Sequence, residues 1–305
     1  MPNRDPSHRN RDVRGCVARA MRRLLPFALL PVLLLAACAQ PASPGDGEAD
    51  RGGARTNYRP DEVVLRIEHL GGFVPAQTLA ARLPVVSVYG DGRVITEGPV
   101  IAIYPGPALP NLLERRIGAT DLNRLVAIAV EAGVGSETDY GTPTVTDLPE
   151  TRFTVSTTDG VLTTTVYALE MDEGLTADQI AARQKLRDLQ SALTDLPGTL
   201  GPDAAGEERP YEPVALAAVT TPYAGSDEGL DQPEVAWPGP ALPGEPLGSL
   251  PDLRCLTITG DDLAAVLEAA QAANTLTPWV SDGERWFVTF RPLLPDESTC
   301  ADLYK

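Results

Sequence analysis

From residue 61 onward, apolar and polar positions alternate in short runs, and helical stripes separate those runs. Val63, Leu65 and Ile67 alternate with Val64, Arg66 and Glu68, the period of a half-buried strand. Two β-rich runs, residues 85–89 and 93–96, flank Gly90-Asp91-Gly92 and predict a hairpin whose glycines supply positive φ. Residues 100–104 and 112–117 are further strand candidates. Leu122, Leu125, Val126, Ala129 and Ala132 then recur at helical spacing, with Thr120 offering an N-cap hydroxyl and Gly133 suiting C′. Residues 152–156 and 161–169 predict a second hairpin around Asp159-Gly160. Thr176 and Gln179 form a capping-box pattern before the stripe Leu186, Leu189, Leu193, Leu196, which Pro197-Gly198 is expected to stop.

Residues 197–210 read as a loop and residues 211–219 as a strand. Residues 222–253 are broken by proline and glycine and read as irregular cover over the body. A strand at 254–259 follows, then a helix bearing Leu263, Val266, Leu267, Ala270 and Ala273, capped by Thr259 or Asp261 and ended by Asn274. Trp279-Val280, the turn Ser281-Asp282-Gly283 and residues 285–294 complete a third hairpin. Seven positions from Ile117 to Ala132 match Ile258 to Ala273 at a constant offset of 141. Two duplicated β–α–β–β modules, or the ordinary likeness of short strand–helix units, account for this equally. Either way the fold class is α+β, with antiparallel hairpins and helices packed on a sheet face. The expected organisation is residues 1–37, 38–60, 61–200 as a first α+β module, 201–253 as a strand with an irregular segment, and 254–305 as a second module. The roughly 245 residues from 61 onward are enough for a sizeable core, in one domain or two lobes.

The segment before this body has another character. Arg22-Arg23 precede the apolar residues 24–35, and Leu35-Ala36-Ala37-Cys38 supplies small residues at a cleavage point. The apolar run is shorter than the roughly 20 residues that cross a bilayer. Arg22-Arg23 weakly suggest twin-arginine export, but their flanks fit the general secretory route better. A signal starting at Met21 has ordinary length, so residues 1–20 read as a misplaced start. The stretch 35–38 resembles the lipobox of bacterial lipoproteins. The resemblance covers only the signal and Cys38. It implies removal of residues 1–37, diacylglycerol on the Cys38 thiol, acylation by palmitate-like chains, and a place on the extracytoplasmic face of the cell membrane. Two acyl chains anchor stably where one does not. Residues 39–60, rich in Pro, Gly, Ala and charge, read as a flexible tether with a reach of roughly 25 Å.

Charge and cysteine content agree with that address. Seven arginines and two aspartates precede Cys38, leaving 18 basic and 40 acidic residues of the 25 and 42 in the chain, a net charge near −22. Phosphate backbones repel such a chain, so no nucleic-acid partner is expected. Two cysteines remain in the body, Cys255 and Cys300. In an exported protein they are expected to form one disulfide.

Catalytic patterns are sparse. His69 is the one histidine after the signal, too few for a His-based zinc site, and it reads as a solvated or hydrogen-bonded structural residue. No G-x-S-x-G elbow, Walker loop or dinucleotide fingerprint occurs. No cofactor and no metal are expected. The acidic loops at Asp172-Glu173 and at Asp227, Glu228, Asp231 and Glu234 lack EF-hand spacing and read as solvated charge. Trp279, Trp286, Phe287 and Phe290 are spaced as core strand residues. Trp237, in a proline-rich loop, is a candidate surface anchor for an envelope protein partner, weighed against stapling that loop to the core. The leading expectation is a membrane-anchored envelope protein that binds or scaffolds without catalysis. A carboxylate-based envelope hydrolase and a transporter's solute-binding component are the rivals.

Overall fold

The computed structural model describes residues 53–225, 229–249 and 252–303. In chain order the elements are β1 (Val63–Leu70), α1 (Ala76–Ala80), β2 (Val86–Tyr89), β3 (Arg93–Glu97), β4 (Leu112–Arg116), α2 (Ala119–Glu131), β5 (Glu150–Thr157), β6 (Gly160–Tyr167), α3 (Ala177–Thr194), α4 (Leu196–Leu200), β7 (Arg209–Pro210), β8 (Ala215–Pro222), β9 (Val235–Ala236), β10 (Glu245–Pro246), β11 (Arg254–Thr259), α5 (Gly260–Gln271), β12 (Trp279–Ser281) and β13 (Glu284–Pro292). They build two sheets. The first is antiparallel throughout, in the order β6-β5-β1-β2-β3-β4-β7; the second runs β10-β11-β8-β13-β12-β9, with only β9 and β12 parallel. The α+β class is the one the sequence predicts.

One face of the first sheet is buried by α2 and α3. Leu122, Leu125, Val126 and Ala129 from α2, with Leu186, Leu189 and Leu193 from α3, share a core with Val64, Val88, Phe153, Val155 and Val166. Each fully buried aliphatic of this kind contributes about 1.5–3 kcal/mol, which explains why the polar α3 still docks. The Thr176–Gln179 capping box is formed at its N-terminus. Arg183, fully buried in α3, donates to the carbonyls of Tyr140, Tyr167 and Ala168, where the chain leaves β6. Main-chain oxygens that would otherwise be orphaned are thereby satisfied.

The second sheet has its own core. Leu216, Ala218, Val288 and Phe290 pack with Val266 and Ala270 of α5 and with Trp237 and Trp279. Its opposite face, Ala215, Ala217 and Val219, meets Ala80 of α1 and the chain end around Cys300. Cys255 and Cys300 are joined as a disulfide across a sequence separation of 45, tying the short 3-10 helix Cys300–Leu303 to β11. All four residues of β2 are buried, because the first sheet is covered on both faces along its centre.

Several expectations change. Residues 100–104 are an exposed excursion, not a strand. β3 pairs directly with β4, Glu97 opposite Leu112, and Pro99, Pro105 and Pro107 remove donors from the run between them. A register shift between Val63 and Leu65 buries Val64 in place of Val63. The N-cap of α2 is Gly118, so Thr120 lies inside the helix. Pro197 does not end α3; the break falls at Asp195, whose carboxylate accepts from Gly198 N and starts α4. The strand expected at 211–219 runs from Ala215 to Pro222 and is a central member of the second sheet. β8, β9 and β10 therefore share one sheet with β11, β12 and β13, so residues 222–253 do more than cover the body, while β7 joins the first sheet. The strand and helix recur at the 141 offset and a hairpin follows in the same order though at a shorter distance, but the pairing does not recur. β5, the first hairpin strand, lies beside β1, whereas β13, the second, lies beside β8.

The tether expected through Pro60 stops earlier. Ala54 and Tyr58 pack against the first core, the Tyr58 hydroxyl donates to Ser156 O, and Gly53 O accepts from Thr158 N. The signal, Cys38 and the rest of the tether lie outside the described residues.

From loop closure, the disulfide is expected to contribute roughly 4 kcal/mol. Replacing Cys255 and Cys300 together by alanine should lower unfolding free energy by about 3–4 kcal/mol in urea titrations, and peptide mapping of the parent chain without reductant should recover the Cys255–Cys300 cross-link.

Candidate functional site

Two cavities adjoin where the first sheet meets α1 and β13. The larger, about 640 Å³, is walled by Leu83, Val85, Pro107, Ala108, Pro110 and Phe290, with His69, Thr78, Arg82, Glu97 and Thr289 adding polar atoms. The smaller, about 210 Å³, is polar and lies between β1 and the segment after β13. His69, Arg82 and Leu83 line both.

Strand alternation puts Arg66 and Glu68 of β1 on the face opposite α2 and α3. Arg66 holds Asp296 through two hydrogen bonds of 2.9 and 2.7 Å, and also donates to Ser87 Oγ and to the Tyr89 hydroxyl, each at 3.0 Å. The Tyr89 hydroxyl donates to Asp296 at 2.8 Å. Burial alone would push the Asp296 carboxyl up, but the Arg66 and Tyr89 hydrogen bonds and the Arg66 charge outweigh it, leaving it below the usual carboxylate range. Tyr89 is driven the other way, chiefly by burial. Beside this group Arg291, 3% exposed, grips Glu297 through its two terminal guanidinium nitrogens, and Glu297 also accepts from Leu294 N. Glu68 accepts from Arg152 at 3.0 Å, its cross-strand neighbour on β5.

The larger cavity is differently equipped. Arg82 donates only to the carbonyls of His69 and Gly71, and among the described residues no carboxylate lies within ion-pair distance. The His69 Nδ1 faces the Thr151 hydroxyl at 3.2 Å, and burial together with the Arg82 charge lowers the imidazole pKa, so it is neutral at pH 7. Thr151 is buried, which leaves it no path to a substrate and makes this pair an orienting contact. Among the described residues, Glu97 is the one carboxylate on the wall; its desolvation raises the carboxyl pKa despite the Arg291 charge. A glycosidase-type reaction needs two carboxylates across the substrate. The other carboxylates nearby are Glu68, Asp296 and Glu297, each held by an arginine, and Asp302, which accepts from Ser298 and Thr299 N–H groups.

Two uncharged loops adjoin lining segments of the larger cavity in the chain. Residues 71–75, between β1 and α1, follow His69 and expose Phe73 (87%) and Val74, and residues 98–107, between β3 and β4, end on the lining residue Pro107 and expose Val100 (74%), Ile101, Ile103 and Tyr104. The foot of the second loop is fixed to the end of α5: Ala108 N donates to Ala273 O and Thr275 N to Gly106 O. Both loops leave the first sheet at the end away from Gly53. The distance along β1 is about 25 Å, at roughly 3.3 Å per residue.

Of the residues singled out from sequence, Cys255 and Cys300 meet as expected, and Cys38 lies outside the described residues. Trp237 is not a surface anchor. It is 9% exposed, stacks 6.2 Å from Phe290 and edge-on to Trp279 at 5.5 Å, and donates from Nε1 to Pro240 O at 2.6 Å. The proline-rich loop turns its tryptophan inward because the second sheet's α5 face supplies aromatic partners. One carboxylate of each acidic loop meets an arginine: Asp172 binds Arg187 at 3.0 Å, and Glu234 lies 3.5 Å from Arg285. Asp227 and Glu228 lie outside the described residues. Sequence reasoning missed Arg66, Arg82, Arg291, Asp296 and Glu297. The one signal for Arg66 was its place on the polar side of the β1 alternation; nothing local marked the others.

Replacing Trp237 by alanine should cost about 3–4 kcal/mol of stability, read by urea unfolding, because it opens a hole among Trp279 and Phe290. Replacing Asp296 by asparagine should cost about 2–3 kcal/mol at pH 7. A carboxyl with a depressed folded pKa stabilises above its unfolded value and stops doing so as pH falls through the folded one, so the gap between parent and Asp296→Asn should shrink below about pH 4. Comparison of the chain with protein-family models, with curated proteins and with solved structures finds no match.

Proposed function

We propose that this chain is a lipid-anchored protein of the bacterial envelope, held by Cys38 on the extracytoplasmic face, whose folded body binds a ligand or a partner protein at the larger cavity without catalysis. The observation that carries the binding part is electrostatic. The cavity has largely apolar walls, and its lining segments run on in the chain into uncharged loops with exposed apolar side chains, while the neighbouring carboxylates Glu68, Asp296 and Glu297 are each neutralised by an arginine. Recognition sites combine apolar area with a few fixed polar groups, which here are Arg82, Thr78 and Glu97. A carboxylate-based hydrolase has less support, since among the described residues Glu97 is the one carboxylate lining the cavity. The anchoring part is supported by Leu35-Ala36-Ala37-Cys38 and by the acidic body that follows.

Anchoring is tested with Cys38→Ser. In cells fed an alkyne-bearing fatty acid, the parent chain should take up label and partition into detergent, and Cys38→Ser should lose both and shift to the soluble fraction. Equal labelling of the two would count against the anchor. In the same cells, a photo-reactive residue at Ile101 should give a discrete adduct that one at Glu268, on the exposed side of α5, does not. Absence of any adduct at Ile101 would count against a binding role for the loop that leads to the cavity.

A further inference from the structure

The sheet edges of this fold are not alike. β7, β9 and β10 are two residues long, and β7 and β10 end in Pro210 and Pro246. Short edges with proline cannot template a further strand. The remaining edge, β6, is eight residues long and carries neither charge nor proline. Its hydrogen-bonding parity follows from its neighbours. Thr157 and Gly160 close the β5–β6 turn, and Ala168 N donates to Pro149 O at 3.0 Å. Even-numbered residues therefore bond to β5, and the main-chain groups of Val161, Thr163 and Thr165 face outward. Among the described residues none of those outward groups bonds to another element. The strand is held in place from the helix side, where Gly135 N donates to Thr164 Oγ1 at 2.8 Å. At its end Arg183 takes the Tyr167 carbonyl.

We propose that β6 pairs with β6 of a second copy, antiparallel about a two-fold axis through Thr164, so that two first sheets join edge to edge. The sequence itself selects this occupant. Read outward from Thr164, the strand is nearly the same in both directions: Thr163 falls opposite Thr165, Leu162 opposite Val166, and Val161 opposite Tyr167. Thr163–Thr165 pairs two β-branched residues and Val161–Tyr167 a β-branched residue with an aromatic one, both favourable across strands, and Leu162–Val166 is an aliphatic pair. The register also satisfies the main chain. Thr163 and Thr165 both face outward, so they exchange N–H···O bonds, whereas a slip by one residue would set outward groups against inward ones. Closed two-fold pairing of identical patches is the commonest form of homo-oligomer. The excess of acidic residues makes two copies repel over most of their surfaces, and β6 offers contact without placing like charges together.

The test uses the full chain. Two differently tagged copies are expressed together, one with Thr163→Cys and the other with Thr165→Cys, and oxidised with copper phenanthroline; the parent chain sets the background from native cysteines. Opposed Cα atoms about 5.5 Å apart suit a disulfide, so the mixed pair should give at least about fivefold more two-tag dimer than either variant alone. Adding Val161→Lys to both copies should abolish that product. Retention of the Cys255–Cys300 cross-link and of the thermal midpoint shows that these variants fold. Absence of the mixed product, insensitivity to Val161→Lys, or adducts with other proteins in place of the two-tag dimer would overturn the pairing. A dimer strongest with Thr163→Cys alone would overturn the register.

Discussion

Arg66 reaches from β1 to a residue 230 positions further along the chain, and its paired hydrogen bonds to Asp296 fix the first sheet against the end of the second. The rest of the arrangement depends on this contact. Charges taken out of water stabilise a fold only when each is fully partnered. Here Ser87 and Tyr89 complete the arginine's bonding, and the adjacent Arg291–Glu297 pair closes the chain after β13. The apolar neighbours Leu83, Ile95, Leu112 and Leu294 exclude solvent around it. The orientation of these two pairs sets the shape of both cavities, because β1 and β13 supply walls to each.

The same pairing governs what the cavities can do. A carboxylate held by an arginine stays ionised and accepts hydrogen bonds, so it is a poor proton donor at neutral pH. Nature's acid–base pairs need carboxyl groups pushed toward neutrality by burial and by each other. Among the described residues Glu97 is the carboxylate on this cavity that is pushed that way, and none of their carboxylates forms an ion pair with Arg82, on the same cavity. A fixed cation, a neutral imidazole and apolar walls serve recognition better than turnover.

Much of the local structure was legible because its causes are local. The Thr176–Gln179 capping box, the α2 stripe and the Asp159-Gly160 turn each depend on residues a few positions apart. Residues 100–104 misled because a β-branched run becomes a strand only when a neighbour accepts it, and β3 had already closed on β4. Of the two readings open for Trp237, the staple holds, and it could not be settled locally because its partners Trp279 and Phe290 are distant in sequence and share a face only after β8, β12 and β13 assemble. The site was mostly hidden for the same reason. Arginines and acids are frequent in this chain, and which of them meet is decided by strand order.

Gly53 docks beside Thr158, at the opposite end of the first sheet from Phe73 and Ile101. On the proposed anchor this polarity acts as a spacer. The body would hang from its base, with the length of β1, about 25 Å, added to whatever the preceding residues span. Its greasy tips would then lie at the end of the sheet remote from the point where the tether enters the body. They would be offered across the gap to whatever stands opposite.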